Sequence, residues 1–391
     1  MALSTVSISL TKGGLAREAA GEDHISALVS YNTAVPGTGI TALGGIKLYG
    51  SYQDAEADGI TQTSSNSVEW YHIKQYFLQN PNGALYVGIF DTGVTYDFAE
   101  ISTIQTFASG KIRQVAVVMP LAYAFNTSDI TTIQALATAN QALYQPLQVL
   151  YSPSFTGETT SSDIDALTDL KDGTYDAPDL SIIAGYDGDG VGGTLSGVSM
   201  AGAALGALSK MKVSDSIAWV GQNNLLALTS DFDNPKVGGI FISGLTSTQL
   251  DTLHDSGYIF VRKFPNKGGA YISGAPTVTI DTDDYTDIQI RRMINKVYRG
   301  VYAELVDLLN SPIKINGSTG YMDFTSVKIF EDEASKIIAQ MKRADEISDG
   351  LAYVNPSQNV LSTSIVNVSV TIIPKGTAKK ITVDLGLATT L

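Results

Sequence analysis

Two observations predict an α/β domain with a largely parallel sheet followed by a compact α+β domain. Through residue 280, helical patterns alternate with short apolar strands. Beyond it come two long amphipathic helices and a few alternating strands. A third observation adds β-strand arms at both ends. At the front, Val6, Ile8 and Leu10 share one face, with Ser7 and Ser9 on the other; at the back, Ile381, Val383 and Leu385 alternate with Thr382 and Asp384. Neither segment has a sequence neighbour to pair with. A terminal strand flanked by flexible residues can complete another subunit's sheet, so two such ends predict assembly.

The elements follow in order. Thr11-Lys12-Gly13-Gly14 forms a flexible joint. A strand is expected over 25–31 and a helix over 68–79, with Trp70, Ile73 and Phe77 at helical spacing. Asn80-Pro81-Asn82-Gly83 is a turn signal, and a buried strand follows over 85–90. The same logic gives a helix over 130–145, strands over 147–151 and 181–184, and a small-residue helix over 195–208. Residues 238–244 and 259–261 complete the sheet in this reading. Asp281-Thr282-Asp283-Asp284 marks a boundary. Ile290, Ile294, Val297, Val301, Leu305 and Leu308 then draw one apolar stripe along a helix, and Val327, Phe330, Ala334, Ile337 and Met341 another over 325–344. Strands over 364–372 and 379–385, split by Pro374-Lys375-Gly376, close the chain. The expected division is an arm over 1–15, an α/β domain over 16–280, an α+β domain over 281–374 and a second arm over 375–391.

Composition excludes several functions. With 44% apolar and 16% charged residues the chain is expected to fold. It has no cysteine, so thiolate metal sites and cysteine nucleophiles are ruled out. Met1-Ala2-Leu3-Ser4 lacks the basic and apolar regions of a secretion signal, so none is expected. Apolar runs are too short for membrane insertion. The net charge of −14 is uneven: residues 285–391 carry 12 Lys/Arg against 11 Asp/Glu, and the remainder is strongly acidic. An acidic bulk repels phosphates, so nucleic acid is not an expected partner. Arg291-Arg292, Lys336, Lys342-Arg343 and Lys379-Lys380 stand either as basic patches for an acidic partner or as a mixed solvated surface.

No catalytic set, metal site or cofactor is expected. Gly197-Val198-Ser199-Met200-Ala201 is similar to the segment around a subtilisin-type nucleophile, yet His24, His72 and His254 lie in no matching context, and close packing explains the small residues more simply. His72 reads as structural and His254 as an exposed helix residue. The Asp187-Gly188-Asp189 segment lacks the later ligands of a calcium loop and reads as a surface turn. Asp281, Asp283, Asp284 and Asp287 read as a solvated linker.

Four ordered segments carry a resemblance. They are Leu48–Glu56, with the helix and Asn82-Gly83-Ala84 turn that follow; Leu253–Phe264; Ile288-Gln289-Ile290-Arg291-Arg292 opening a long helix; and the late helix with its terminal strands. Together the chain resembles the contractile tail sheath proteins of phage tails, R-type bacteriocins and contractile injection systems. Departures are Ala84 in place of a second glycine and His254 in place of asparagine. The resemblance implies an α/β domain similar to subtilisin but without catalysis. It also implies ring stacking with other copies around an inner tube, and contraction that drives the tube through a cell envelope. Val6, Ile8, Leu10, Ile381, Val383 and Leu385 would form the exchanged strands, with hinges at Gly13, Gly14 and Gly376. The inward-facing domain would present Lys328, Lys336, Lys342 and Arg343 to the tube. Baseplate and tail terminator proteins would be further partners. Assembly would occur in the bacterial cytoplasm, and the product would be a phage tail or extracellular particle. A subtilisin-like hydrolase using Ser199 and a non-contractile tube or surface-layer subunit are the competing readings.

Overall fold

A computed structural model describes residues 22–93, 95–190, 195, 197–227 and 231–387. The front arm, Val6, Ile8, Leu10, Gly13 and Gly14 therefore lie outside the described residues.

The first domain is wound around one sheet. Its elements are β1 (Ile25–Asn32), β2 (Gly45–Tyr49), α1 (Tyr52–Ala57), α2 (Ser67–Gln79), β3 (Ala84–Asp91), α3 (Glu100–Phe107), β4 (Gln114–Val118), α4 (Ser128–Ala142), β5 (Gln148–Ser152), α5 (Ser161–Asp165) and β6 (Leu180–Ile183). The chain then makes β7 (Gly185–Asp187), β8 (Val198–Ser199), α6 (Ala201–Lys210), β9 (Lys236–Val237), β10 (Ile240–Phe241), α7 (Ser247–Asp255), β11 (Tyr258–Ile259), β12 (Val261–Phe264) and β13 (Lys267–Ile272). The sheet order is β11-β6-β5-β4-β1-β3-β2. All neighbours are parallel except β2, which runs antiparallel along one edge. Strands β4 and β5 are buried at every position, as expected where helices cover both faces. The order reverses at β1, which pairs with β3 on one side and β4 on the other. That reversal is a topological switch point, and it opens a crevice at the carboxyl ends of these strands.

Helices α2 and α6 pack together on one face, and α3 and α4 cover the other. The small residues of α6 permit backbone contact. A Cβ on Gly202 would lie 2.4 Å from the His72 carbonyl, and one on Gly206 would lie 2.5 Å from that of Tyr76. The close-packing reading of this segment is therefore right, although the helix begins at Ala201 and Val198–Ser199 is a short strand.

Three expectations in this domain are corrected. Residues 238–244 do not join the main sheet: Ile240–Phe241 pairs antiparallel with β9, and a 3-10 turn follows. Only Tyr258 and Ile259 extend the sheet, because the chain turns at Phe260 into the β12–β13 hairpin. Asp187 is not on a surface turn. It is fully buried, accepting from the Tyr71 hydroxyl at 2.5 Å and the Phe232 N–H at 3.0 Å.

The second domain holds α8 (Ile288–Leu305), α9 (Phe324–Arg343), β14 (Asp349–Val354), α10 (Val360–Thr363) and β15 (Val368–Ile373). Helix α9 lies between α8 and the antiparallel β14–β15 pair. Met293, Val297, Ala334, Ile338 and Met341 form its own core. The predicted α8 stripe is only half-buried at Ile290, Ile294, Val301 and Leu305, and the more deeply buried face carries Gln289, Arg291, Arg292 and Asn295. The physical reason is that α8 packs its polar side against the first domain.

The expected strand over 379–385 is not formed within this chain: residues 374–387 adopt no regular structure. A strand needs a ladder partner, and none among the described residues pairs with this segment.

Candidate functional site

Three places bring the candidate residues together: the carboxyl end of the main sheet, its amino end, and the terminal surface of the second domain.

At the carboxyl end lies a cavity of about 210 Å³, with Asn32, Glu69, His72, Ser152 and Ser199 among the residues around it. Glu69 and His72 stand one turn apart on α2. Asn32, the last residue of β1, donates its amide to both Glu69 carboxylate oxygens at 3.2 and 3.1 Å. Burial pushes the Glu69 carboxyl up, and hydrogen bonds to it oppose the shift. Ser199 Oγ accepts from Ser152 Oγ at 2.5 Å and from the Ala201 N–H at 3.1 Å.

His72 is buried, and burial pushes its pKa down to about 3. Its Nδ1 accepts the Gly202 N–H at 3.2 Å, so the neutral ring carries its proton on Nε2. Nε2 has no partner among the described residues. A general base for Ser199 needs a free imidazole lone pair. Here that lone pair is already occupied by a helix N–H. The sequence brings a serine and a histidine to one end of the sheet, but not as an activated nucleophile. His72 is structural, as its place in the amphipathic helix indicates.

At the amino end, the first domain meets α8 through ion pairs. Arg291 makes a bidentate contact with Asp179, Nε to Oδ1 at 2.7 Å and Nη2 to Oδ2 at 2.8 Å, and both side chains are buried. Lys296 joins Asp23 and Glu346, each at 2.7 Å, while Arg299 reaches Asp23 at 3.0 Å. Arg113 pairs with Glu22. Burial pulls the Arg292 guanidinium down to about 10 and that of Arg299 to about 9, so both stay charged at neutral pH. The Asp23 carboxyl is raised by burial, but Lys296 and Arg299 outweigh that and hold it below its ordinary value. Arg291 and Arg292 are therefore not a patch for an outside partner, because they are buried in this seam. Spacing alone did not reveal it, since an Arg-Arg pair at a helix start reads as solvated until its acidic counterparts are placed.

The terminal surface holds the remaining candidates. Ile381, Val383 and Leu385 are 80%, 69% and 95% exposed. Gly376 lies between two anchors, Lys375–Asp345 and Lys379–Asp287, both at 2.8 Å. On the exposed side of α9, Lys328 pairs with Glu331 at 2.6 Å, Lys336 with Glu333 and with Glu304 at 3.1 Å, and Lys342 with Asp349 at 2.7 Å. Arg343 is exposed beside them. The four cations thus share one surface, with the three lysines paired internally.

His254 is exposed, as expected. Of the acidic linker, Asp281 pairs with Lys171, but Asp287 is buried at the start of α8. Among the described residues no group of three or more His, Cys, Asp or Glu is placed to hold a metal ion. No helix among them is long and apolar enough to cross a membrane.

Residues 3–275 match the family described as DUF2586, N-terminal domain, and residues 284–391 match DUF2586, C-terminal domain. The chain belongs to the DUF2586 family. No curated protein matches its sequence. Among solved structures, the helical sheath of the anti-feeding prophage in its contracted state superposes with a TM-score of 0.65 at 15% identity, covering 99% of this chain and 100% of that one. The sheath of an extracellular contractile injection system, PVC, also contracted, gives 0.65 at 13% identity, covering 100% and 99%. The sheath tail protein of Desulfitobacterium hafniense gives 0.54 at 9%, covering 95% and 100%. This DUF2586 chain therefore has the two-domain, mixed α/β fold of contractile sheath proteins, as the ordered sequence segments led us to expect.

Proposed function

We propose that the chain is the structural subunit of a contractile sheath, stacking in rings with other copies around an inner tube and shortening to drive that tube through a cell envelope. One observation carries this reading. The fold matches sheath subunits over nearly the full chain, and it leaves an alternating apolar segment in solvent with no work to do inside its own subunit. Ile381, Val383 and Leu385 suit a neighbour's sheet, and Val6, Ile8 and Leu10 would be the second donated strand. A receiving surface is at hand. The β14–β15 pair is a two-stranded sheet, marginal by itself, with Leu351 and Tyr353 65% and 50% exposed. Beside it, a groove along α8 is walled by Val301, Tyr302, Leu305, Val368 and Val370. A donated strand with about five ladder hydrogen bonds gains about 2.5–7 kcal/mol net. That holds subunits together while their bodies reorient.

The division into an arm over 1–15, an outer domain over 16–280, an inner domain over 281–374 and an arm over 375–391 is part of the same proposal. So are the likeness of the outer domain to subtilisin without its catalysis, the hinges at Gly13, Gly14 and Gly376, and the inner tube, baseplate and tail terminator as partners. Assembly in the bacterial cytoplasm as part of a phage tail or extracellular particle follows from it. The blocked lone pair of His72 supports a non-enzymatic role. On α9, the surface of Lys328, Lys336, Lys342 and Arg343 would face the tube.

Negative-stain microscopy of the purified chain tests the main reading. Wide, hollow, helically ridged cylinders are expected. Deleting residues 1–10, or 380–391, should leave folded monomers that form none. Normal cylinders from both truncations would overturn the strand-exchange model, and the absence of any cylinder from the full chain with its tube protein would overturn the sheath assignment. Charge reversal at Lys336 and Lys342 should abolish sheath–tube co-assembly, and unchanged co-assembly would remove those residues from the contact.

A further inference from the structure

The groove along α8, about 500 Å³ in volume, is not built by the second domain alone. Val297, Val301, Leu305, Val368 and Val370 line it from α8 and β15, and the first domain contributes Tyr144, just beyond the end of α4. Tyr144 reaches this place through a strained backbone. Its φ is 61°, in the left-handed region that suits glycine. Its N–H donates to the Gln141 carbonyl at 2.8 Å, and the Gln145 N–H to that of Asn140 at 3.0 Å. This is the helix-ending turn in which glycine is usual. The ring explains why a tyrosine stands there instead. It lies parallel to Tyr302 of α8, with centroids 3.6 Å apart and planes 12° from each other, and Tyr298 stands 5.9 Å away. Tyr298 Oη donates to the Gln141 carbonyl at 3.1 Å, and Arg291 Nη2 to Gln141 Oε1 at 2.7 Å. The stack is therefore the solvent-facing edge of the charged seam between the domains.

The stack is incomplete within one subunit. So short a separation leaves the rings little lateral offset, although offset or edge-on rings are preferred. Tyr144 and Tyr302 also stay 46% and 39% exposed. Backbone strain kept for a half-covered ring points to a function for that ring. An apolar, extended occupant suits the groove, and Ile381, Val383 and Leu385 form such a segment. In their own subunit they cannot seat together against Tyr302 while Lys379 holds Asp287. From Asp287 to Tyr302 the helix rises about 22 Å, whereas Ile381 lies at most about 7 Å beyond Lys379. We propose that Tyr144 makes this groove an interdomain site: the 381–385 segment of a second copy packs against Tyr144 as well as α8, so that filling the groove fastens the two domains of the receiving subunit together. The proposal rests on the strand-donation reading above and adds to it a coupling between occupancy and domain docking, which by linkage acts in both directions.

Amide hydrogen exchange on the dispersed full-length chain tests this, with a synthetic peptide of residues 379–391 as the probe. The peptide should slow exchange along α8, over 294–309, and also at the end of α4, over 141–145. Tyr144→Gly keeps the turn, because glycine adopts this φ freely. It should weaken peptide binding about tenfold and abolish the protection over 141–145. Tyr144→Phe keeps the ring and should restore both. Protection of 294–309 without 141–145, or equal binding to the natural chain and Tyr144→Gly, would overturn the proposal while leaving strand donation intact. A peptide of residues 3–10 that protects the groove where 379–391 does not would overturn the occupant named here. Protection by neither peptide would overturn the proposal together with the groove's part in strand donation, which cylinder formation by the full chain tests separately.

Discussion

The two ends of the central sheet are both rich in buried polar groups, yet they are built on opposite electrostatic terms. At the carboxyl end the buried titratable ring stays neutral: His72 is pushed down to about 3 and its neighbours are serines, an amide and one carboxylate. At the amino end the buried groups stay charged: Arg291, Arg292, Lys296 and Arg299 face Asp23, Asp179 and Glu346. The first end is closed by the domain's own helices. The second joins two domains. Desolvating ions is expensive, and the pairing offsets little more than that cost. A charged seam therefore joins the domains with geometric specificity while each keeps an apolar core cluster of its own.

The largest expected effect separates the ends by pH. Below about 6.5 an unfolded chain takes up a proton at His72 that the fold refuses until about pH 3. Stability should fall as pH drops across that window, by at most about 5 kcal/mol. His72→Gln keeps an acceptor for Gly202 and should flatten that part of the acid profile. Asp23 acts lower. Its folded pKa lies below 3.8, so its contribution is complete above that value and is lost only as pH falls through the folded pKa. Chemical denaturation from pH 7 to pH 3 reads both. An unchanged slope between pH 6.5 and about pH 4 in His72→Gln would rule out His72 as its source, because Asp23 acts only below that range.

The second test breaks the seam. Arg291→Ala leaves Asp179 as a buried carboxylate without its bidentate partner, and a loss of about 3–5 kcal/mol is expected in urea unfolding. Arg291→Met with Asp179→Leu removes both charges and should recover most of it. A single substitution as mild as the double would show that the seam is solvated rather than dry.

The sequence made these two ends unequally legible. Strands β1, β3, β5 and β6 and helices α2, α4, α8 and α9 follow from apolar period and turn residues, because local burial dictates both. Helix α3 and the β12–β13 hairpin leave no such signal: Glu100–Phe107 is short, and the hairpin carries two glycines and three charges in place of clean alternation. The seam was misread for a different reason. On α8 the apolar stripe is the obvious inward face, but Arg291, Arg292 and Asn295 are buried deeper. Their partners Asp23 and Asp179 are more than a hundred residues away in sequence. Pairing across such distances leaves no periodic signature. The serine and histidine at the other end were visible as residue types, but the Gly202 N–H that occupies His72 was not.

A third, smaller effect probes how α6 supports the carboxyl end. Gly206→Ala places a Cβ against the Tyr76 carbonyl. The helix-propensity gain of about 0.5–1 kcal/mol is outweighed by overpacking of about 1–3 kcal/mol, so a net loss in thermal stability is expected. Gly376→Ala, where nothing lies within 4 Å, should cost nothing. Equal effects would mean that α2 and α6 move apart easily.

The smallest expected effect lies where the amino-end seam gives way to the terminal arm. Lys379 is 61% exposed and holds Asp287, which is 9% exposed at the start of α8, while Lys375 holds Asp345. These two pairs decide where the free part of the arm begins, since beyond them Ile381, Val383 and Leu385 stand in solvent. An ion pair with one exposed partner contributes little to global stability, under about 1 kcal/mol. Asp287 also keeps a favourable place at the positive end of α8 when its partner is removed. Lys379→Ala should therefore leave the unfolding midpoint nearly unchanged. The same substitution should speed amide hydrogen exchange over residues 375–380, because the root of the arm loses one of its two anchors. A global loss of stability would instead make the Lys379–Asp287 pair an extension of the charged seam, and the arm a structural part of the second domain.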